Sequence, residues 1–315
     1  MGKKTFNDLM RDEEKKKREA GAESTADLYR AVRNRFYSFC STNKIVVDSV
    51  KELRPIQVAD FMNALRSEQL CVNTVNSYIS NFRAMYNRIC LDLRYHPKIN
   101  PFEGIRLKRA ETAKRAVTIN VMEKMARLDY ADRPEQAQAA GLALFSFMAC
   151  GMPFVDLVHL TKDNILEDGN VLVYHRQKTG TLIQLPVSAG MDDLIRRYSD
   201  PSSPYLFPLL AEGASHEKYK TLLAEHNRQL KKIGERLSLP VPMTSYVFRH
   251  TWASEAYRQH IAINIISQAL GHTSEKMTHN YLARLDTREI ATANNLVINK
   301  VEQLIRKKKI PLFMI

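Results

Sequence analysis

The sequence predicts a mainly α-helical protein with a small β-sheet, organised as two parts. Apolar residues recur at helical spacing through most of residues 24–92. Pro97, Pro101 and Gly104 then break this pattern. After Thr118 the helical segments resume and enclose two short β-rich runs. At 315 residues, the chain is long enough for two domains with sizeable cores.

The first part is predicted to form helices that each carry an apolar stripe. A charge-rich helix covers 11–19, where opposite charges lie four residues apart. The next three helices are expected to start near residue types that favour helix N-termini: Ser24-Thr25, Pro55 and Asn73-Thr74. The last of them has a polar and basic face opposite its apolar stripe, formed by Asn76, Ser80, Arg83, Asn87 and Arg88.

The second part is predicted to contain helices and one β-hairpin. The β-rich runs Val171–Tyr174 and Leu182–Val187 flank Lys178-Thr179-Gly180, which is typical of a hairpin turn. Helices are expected at 119–128, 135–149, 154–160, 188–198, 215–237, from Thr244 onward, at 262–270 and at 286–307. This order predicts a helical domain with a small sheet on one side.

The formal net charge is +13, and the basic excess lies mainly in the first third of the chain. Residues 1–115 contain 23 Lys and Arg against 14 Asp and Glu. Such an excess points to a polyanionic partner, usually nucleic acid. The candidate phosphate contacts are Arg83, Asn87 and Arg88 on the last helix of the first part, then Arg106, Lys108, Arg109, Lys114 and Arg115. For both groups the alternative is an ordinary solvated surface.

Other sequence features disfavour several classes of protein. The four cysteines have no C-x-x-C spacing and no histidine at metal-ligand spacing, which predicts free thiols in a reducing cytoplasm. No apolar run approaches the ~20 residues of a membrane span. Charged residues stand where a signal peptide would be apolar. We therefore expect a cytoplasmic protein whose cysteines bind no metal.

Three residues in the last quarter of the chain suggest a catalytic site. Arg249 lies in the run YVFRHT, His272 lies in LGHT, and Tyr281 follows the histidine by nine residues. A tyrosine hydroxyl can attack a phosphodiester while arginine and histidine hold the phosphate. Because a tyrosine has a pKa of about 10, Tyr281 needs a proton acceptor or a positive field, and His272 can supply either.

The RHT and LGH runs and the spacing to Tyr281 closely resemble the catalytic domain of the tyrosine recombinases, the phage-integrase family. NPFEGIR followed by KRAVT resembles the hinge between the two domains of these enzymes. The resemblance, together with the breaks described above, implies the following layout: a charged extension at 1–22, a helical SAM-like core-binding domain at 23–104, a basic linker at 105–117, a catalytic domain at 118–286, and a C-terminal helix and tail at 287–315. That tail would dock on a neighbouring protomer or on its own domain.

The resemblance also implies roles for individual residues. Tyr281 would be the nucleophile, with Arg249 holding two phosphate oxygens. Lys178, in the run HRQKTG, would protonate the departing 5′-hydroxyl. Tyr246 stands where the family usually has a histidine, so it could contact phosphate without acting as an acid or base at neutral pH.

The sequence departs from the family pattern at the first catalytic arginine. That arginine normally follows Gly-Leu at a helix start, but the stretch here is CGMPFVDL. Pro153 takes its place, and Cys150 stands where a subgroup carries it instead. Either Arg176 supplies the missing guanidinium, or the protein binds DNA and cleaves it slowly or not at all. Arg176 is two residues from Lys178, so on a strand both side chains would share one face.

The activity implied by the resemblance is site-specific recombination of duplex DNA. Tyrosine attack gives a 3′-phosphotyrosyl link and a free 5′-hydroxyl, without metal or ATP. Four protomers act on two specific sites through a Holliday junction, with or without an accessory DNA-bending protein, to integrate, excise or invert DNA. The short segment before the first core-binding helix favours a simple invertase or resolvase-like enzyme. A type IB topoisomerase shares the chemistry, but the basic two-domain layout and the tail favour a recombinase over a topoisomerase.

Overall fold

The computed structural model describes residues 4–108, 110, 115–166 and 170–279. The chain divides into two compact units, Met1–Thr112 and Ala113–Ile315. Both are built mainly from helices, and the second also contains a small sheet, so the predicted fold class is confirmed. The helix predicted at 286–307 lies outside the described residues.

The first unit packs its helices around a core rich in aromatic rings. Its described helices are α1 (Phe6–Glu19), α2 (Glu23–Thr42), α3 (Pro55–Ser67) and α4 (Val72–Asp92), with a 3-10 turn at Val50–Glu52. Phe82 of α4 is fully buried, and its ring centroid lies 4.6 Å from that of Phe36 and 5.3 Å from that of Phe102. Ring pairs at such separations stabilise a core beyond the area that they bury.

Helix α1 belongs to this core, which differs from the charged extension expected at 1–22. Thr5 caps the helix by accepting a hydrogen bond from the Asp8 backbone N–H at 3.2 Å. The Asp8 carboxylate accepts from the Thr5 backbone N–H at 3.1 Å in return. Phe6 and Met10 are fully buried. Apolar residues on one face of a charged helix thus place this segment in the core.

Two helices begin earlier than their predicted caps. Helix α2 starts at Glu23, before Ser24-Thr25, and α4 starts at Val72, before Asn73. The Asn73 side chain bonds the backbone of Ala110, donating at 2.9 Å and accepting at 3.1 Å. The tendency of asparagine to bond nearby backbone is therefore satisfied by a distant segment of the chain.

Along the sequence, the second unit has one group of helices before its sheet and another after it. Before the sheet come α5 (Ile119–Arg127), α6 (Pro134–Met148), α7 (Phe154–Leu157) and a 3-10 turn at Lys162–Asn164. The described strands are β1 (Ile165–Leu166), β2 (Val171–His175) and β3 (Leu182–Pro186), antiparallel in that order. After the sheet come α8 (Ala189–Tyr198), α9 (His216–Arg236), α10 (Ser245–Arg258), α11 (Ile263–Ala269) and α12 (Glu275–His279).

The β2–β3 hairpin has one buried face. Leu172 pairs with Leu185 and Tyr174 with Ile183, and all four side chains are buried. This alternation follows from the period of two along a strand. Both strands match the predicted runs to within one residue. The two-residue strand β1 had no comparable pattern in the sequence.

Helix α7 ends earlier than the predicted 154–160. After Leu157 the backbone bonds change to the tighter three-residue spacing. His159 N–H donates to the Asp156 carbonyl and Leu160 N–H donates to the Leu157 carbonyl, both at 3.2 Å. Asp156 therefore lies in a single helical turn just before the chain bends away.

Helix α6 lies between the two larger apolar clusters of the second unit. Leu142 and Phe145 pack in the cluster that includes the sheet and α7. Ala139 and Ala143 pack in the cluster formed with α9 and α10. Because packed interiors resist deformation, this arrangement holds α7, the hairpin and α10 in fixed positions. These three elements carry residues of the candidate site.

Replacing Phe82 with alanine is expected to destabilise the first unit by about 3–5 kcal/mol, because a fully buried ring is removed from the aromatic core. Urea denaturation of the full chain, followed by circular dichroism, measures the loss. The matched control is Leu91→Ala on the same helix, since that side chain is 76% exposed. The control is expected to change stability by less than about 0.5 kcal/mol. Equal losses in the two variants would contradict the packing described for α4.

Candidate active site

Arg249 is buried at the centre of a set of polar contacts in the second unit. It lies in α10 beside the fully buried Val247 and Phe248, and is itself only 3% exposed. Its Nη1 donates to the Gly151 carbonyl oxygen at 3.1 Å, and its Nη2 donates to the Leu270 carbonyl oxygen at 2.5 Å. A buried cation is strongly disfavoured without such acceptors. These bonds therefore fix the orientation of the guanidinium.

The approach of Gly151 to Arg249 requires the absence of a side chain. Gly151 has a φ of +70°, and a Cβ atom there would lie 2.6 Å from the Arg249 Cα atom. A neighbouring backbone atom cannot move aside as a flexible side chain can. Glycine at this position therefore brings the Gly151 carbonyl within reach of the guanidinium.

Arg176 bonds the Leu270 carbonyl oxygen, which Arg249 also bonds. It follows β2 and is 7% exposed. Its Nη1 donates to the Leu270 carbonyl oxygen, and its Nε donates to Asp156 Oδ2 at 2.6 Å. Two guanidinium groups from distant parts of the sequence thus converge on one backbone oxygen.

The hairpin turn separates Arg176 from Lys178. Strand β2 ends at His175, so the expectation that both side chains share one face of a strand is wrong. Within the turn, the Gly180 N–H donates to the Arg176 carbonyl at 2.8 Å and the Arg176 N–H donates to the Thr181 carbonyl at 2.9 Å. This curled backbone lets Arg176 pack inward while Lys178 is exposed.

Asp156 fixes the hairpin turn through both of its carboxylate oxygens. Oδ2 accepts from Arg176 Nε, and Oδ1 accepts from the Gln177 backbone N–H at 2.8 Å. The Asp156 side chain has no exposed surface. Charge-assisted bonds to both oxygens offset the cost of burying the carboxylate. Asp156 thereby ties α7 to the turn and directs Arg176 toward Leu270.

His272 lies beside Arg249. Gly271 before it has a φ of +63°, and a Cβ atom there would lie 3.0 Å from Arg176 Cγ, so a glycine lets the chain pass the arginine. His272 Nε2 lies 3.1 Å from Arg249 Nη2, and Nδ1 lies 2.9 Å from Thr278 Oγ1. Burial, and then the positive charges of the two arginines and the hairpin lysine, lower the pKa of His272 to about 4. The imidazole is therefore neutral at neutral pH.

The other predicted catalytic residues are less buried or lie outside the described ranges. Lys178 is exposed, yet close enough for its charge to act on His272. Tyr246 is 44% exposed, about one helical turn before Arg249, and its ring lies 6.0 Å from that of His250. Tyr281, the predicted nucleophile, falls outside the described residues.

Neither position at which the family pattern has its first arginine supplies a cation. Burial raises the pKa of the Cys150 thiol to about 11, although the nearby charge of Arg249 acts in the opposite direction. The thiol is therefore neutral at neutral pH. Pro153 precedes α7 as its N-cap and carries no charge.

This cluster is suited to binding an anion. The guanidinium groups of Arg249 and Arg176 and the ammonium group of Lys178 outnumber the single buried carboxylate of Asp156. A planar guanidinium presents forked donors whose spacing matches phosphate oxygens. The arrangement can therefore hold a phosphate next to a neutral imidazole.

Residues 117–288, more than half of the chain, match the model of the phage integrase family. The chain belongs to the phage integrase family. Residues 5–88 match the phage integrase SAM-like domain, a range that includes α1. Membership in this family places the protein among the DNA recombinases of the tyrosine type.

Curated relatives of this integrase-family protein include recombinases and transposases. A tyrosine recombinase of Thermosipho africanus (strain TCF52B) is 20% identical over 280 residues, covering 87% of this chain and 94% of that protein. Transposase A from transposon Tn554 of Staphylococcus aureus is 24% identical over 148 residues, covering 46% of this chain and 39% of the transposase. The similarity to the first of these extends over both domains.

Solved structures of DNA-bound recombinases share the fold. The Tn1549 transposon integrase in complex with circular intermediate DNA has a TM-score of 0.62 at 16% identity, covering 92% of this chain and 99% of that chain. The XerH site-specific recombinase bound to palindromic difH substrate has a TM-score of 0.64 at 16% identity, covering 86% and 79%. A lambda integrase tetramer bound to a Holliday junction has a TM-score of 0.61 at 15% identity, covering 84% and 74%.

Among the predicted DNA contacts of this integrase-family chain, some are exposed and one is bonded to other parts of the chain. Arg83 is engaged internally, since its Nη2 donates to the Ile105 carbonyl at 3.0 Å and its guanidinium lies 5.6 Å from the Phe102 ring centroid. Asn76 on the same helix donates to the Lys108 carbonyl at 2.9 Å. Part of the polar face of α4 therefore holds the segment after it. The exposed candidates are Asn87, Arg88, Arg106, Lys108 and Arg115, while Arg109 and Lys114 fall outside the described ranges.

Within the described ranges, no group of His, Cys, Asp and Glu side chains could hold a metal ion. None of the helices described there is long and apolar enough to cross a membrane.

Two contacts of this site had no clear signal in the sequence. The Leu270 carbonyl, which both arginines share, is a backbone group and leaves no trace in residue type. Thr278, the partner of His272, is a neutral residue whose only distinction is its position six residues after the histidine. The bond between Asp156 and Arg176 joins residues 20 positions apart, and residue types alone do not predict it.

Replacing Asp156 with alanine is expected to cost about 3–5 kcal/mol in the free energy of unfolding, because it leaves the buried guanidinium of Arg176 without its counter-ion. Urea denaturation of the full chain measures this change. Asp163→Ala is the matched control, since Asp163 is exposed in the 3-10 turn that follows. We expect the control to stay within about 0.5 kcal/mol of the unmodified protein. A similarly small change at Asp156 would contradict a structural role for this ion pair.

Proposed function

We propose that this protein is a site-specific DNA recombinase that cleaves duplex DNA through Tyr281. The observation that carries the proposal is the convergence of Arg249 and Arg176 beside His272, nine residues before the tyrosine. A scissile phosphate at this cluster would meet forked donors aimed at its developing charge. The tyrosine oxygen attacks phosphorus, a 3′-phosphotyrosyl bond forms, and the bond to the 5′-oxygen breaks. The 5′-oxygen of a partner strand then attacks the phosphotyrosyl link.

In this proposal Arg176 supplies the guanidinium that the family pattern places near Cys150 or Pro153. A guanidinium has five N–H donors. The bonds to Asp156 and Leu270 use two of them, so three are not engaged by the described residues. Because the group is anchored on one side before substrate binds, little reorganisation accompanies the reaction.

Lys178 and Tyr246 have supporting roles in the proposal. The exposed position of Lys178 on the turn allows its ammonium group to approach the leaving 5′-oxygen and protonate it. Tyr246 has an exposed ring one helical turn from Arg249, so its hydroxyl can donate to a phosphate oxygen. A phenol in this place keeps a contact with phosphate but is no acid or base at neutral pH.

The proposal extends to the partners of the reaction. The exposed basic residues described above would contact the phosphates of duplex DNA. A tetramer on two sites is the assembly that we propose, because a similar fold is seen as a tetramer on a Holliday junction. It would act in the cytoplasm, to integrate, excise or invert DNA, with an accessory DNA-bending protein where the sites require one. The tail after Tyr281 is proposed to dock on a neighbouring protomer.

The test uses a nicked suicide substrate that carries a recombination site taken from the DNA beside the gene, and it measures the covalent protein–DNA adduct. We expect the unmodified protein to form adduct and Tyr281→Phe to form none. Arg176→Gln is expected to slow adduct formation about 10²–10³-fold, the usual effect of removing one charge-stabilising donor. The adduct rate of Arg176→Lys should lie between those of the unmodified protein and Arg176→Gln, because lysine keeps a charge opposite Asp156 but lacks the forked geometry.

The controls separate catalysis from folding and binding. Arg196→Gln removes an exposed arginine of α8 and should leave the adduct rate unchanged. Fluorescence anisotropy with the same DNA, and urea denaturation of each variant, report binding and stability. An Arg176→Gln variant as fast as the unmodified protein would show that Arg176 does not replace the missing arginine.

The second candidate is a homologue that binds DNA but is catalytically impaired. It is favoured by one observation, the absence of a cation at both Cys150 and Pro153. The same assay distinguishes it. DNA binding by the unmodified protein without any adduct supports the impaired homologue and contradicts recombinase activity.

A further inference from the structure

The contacts of His272 favour one of its two neutral tautomers. The Arg249 Nη2 atom lies 3.1 Å from His272 Nε2. Because arginine has donors and no acceptor, the two atoms form a hydrogen bond only if Nε2 carries no proton. In a neutral ring the proton then lies on Nδ1, which donates to Thr278 Oγ1 at 2.9 Å. The opposite tautomer would place an N–H against a permanent cation, and is therefore disfavoured.

Thr278 is placed to accept the Nδ1–H hydrogen bond of this tautomer. Its side chain is fully buried, and α12 brings it back onto the histidine six residues before it. A threonine in a helix has few side-chain rotamers, which limits the positions that its hydroxyl can take. A hydroxyl oxygen can accept from Nδ1–H both when the imidazole is neutral and when it is protonated. The contact can therefore persist while Nε2 gains and loses a proton.

We propose that His272 Nε2 accepts the proton of the Tyr281 hydroxyl, and that Thr278 is the positioning residue that keeps this nitrogen bare. The proposal rests on the proposed function, in which Tyr281 is the nucleophile. As the bond from the tyrosine oxygen to phosphorus forms, the phenolic proton moves to Nε2. The bond from phosphorus to the 5′-oxygen breaks, and that oxygen takes a proton from Lys178.

The substrate itself makes His272 a better base. In the absence of DNA, Arg249 donates to the Nε2 lone pair, and the charges of Arg249, Arg176 and Lys178 oppose protonation of the ring. A bound phosphodiester is an anion that competes for the arginine donors and compensates their charge. Both effects raise the pKa of His272 from its low value without DNA. The basic nitrogen is thus available when a phosphate is in place.

Tyr246 is not suited to this task, although it stands where the family usually has a histidine. A phenol is fully protonated at neutral pH and has no basic nitrogen. His272 instead directs its Nε2 at Arg249, the residue proposed to hold the phosphate. The geometry therefore assigns proton transfer to the histidine that follows Gly271.

The first test determines the tautomer directly, in the full chain without DNA. Long-range proton–nitrogen NMR of protein labelled with ¹⁵N-histidine reports which ring nitrogen is protonated, and the His272→Gln spectrum assigns the signal among the nine histidines. We expect Nδ1–H in the unmodified protein and in Thr278→Ser, and a mixture of tautomers in Thr278→Val. Thr273→Val is the matched control, since Thr273 is an exposed threonine of the same segment.

The second test measures adduct formation on the nicked substrate. Loss of the acceptor in Thr278→Val should slow the reaction by at least about tenfold, since general base catalysis contributes about 10²–10⁴-fold. Thr278→Ser should restore most of the rate, and Thr273→Val should match the unmodified protein. DNA affinity, measured by anisotropy, is expected to stay the same in all three variants.

The outcomes separate this proposal from the proposed function. A proton on Nε2 of His272 in the unmodified protein overturns the proposal, whatever the adduct assay shows. A Thr278→Val variant with the unmodified tautomer and rate also overturns it, as does a Thr278→Ser variant as slow as Thr278→Val. If no adduct forms even in the unmodified protein, the proposed function fails, and with it the proton transfer to His272. The tautomer measurement then still decides whether Thr278 positions the ring.

Discussion

The candidate site depends on holding two like charges close together in a buried place. Arg249 and Arg176 both donate to the Leu270 carbonyl oxygen, so their guanidinium groups lie within a few ångströms of each other. Their repulsion is offset by the buried carboxylate of Asp156 and by the Gly151 carbonyl. Burying such charges costs several kcal/mol per ion unless their bonds are well made. Helix α7, the hairpin turn and the chain around residue 270 each supply a group that meets this requirement.

Glycine residues make that arrangement sterically possible. A Cβ atom at residue 151 would come too close to the Arg249 backbone, and one at residue 271 would press on the Arg176 side chain. Both glycines have a positive φ, a backbone conformation that residues with a side chain rarely adopt. The glycine of CGMPFVDL and the glycine of LGHT therefore serve the same purpose, the first beside Arg249 and the second beside Arg176. Gly151 brings its own carbonyl to the Arg249 guanidinium. Gly271 lets the next residue, His272, approach the same guanidinium.

The sequence predicted most of the fold but only part of the site. Strands β2 and β3 and helices such as α8 and α9 were predicted to within one or two residues, because their apolar periodicity is strong. Local caps were less informative, since Asn73 bonds a segment far along the chain instead of its own helix. The proximity of Arg176 to Arg249 was proposed from the missing arginine, but for the wrong geometric reason. A strand pattern cannot show that the turn curls, nor that Asp156, 20 residues earlier, draws Arg176 inward.

The origin of the second guanidinium has a consequence for the proposed mechanism. An arginine at the start of a helix would be independent of the hairpin that carries Lys178. Arg176 instead shares that turn, which Asp156 ties to α7 through two bonds. Charge stabilisation at the phosphate and protonation of the leaving oxygen would then depend on one small element. Any displacement of the turn would weaken both together, whereas Arg249, held by α10 and two backbone carbonyls, would stay in place. In this protein, therefore, the rate of DNA cleavage should depend strongly on how well ordered the hairpin turn is. The dependence should be weaker in an enzyme whose arginine and lysine lie on separate elements.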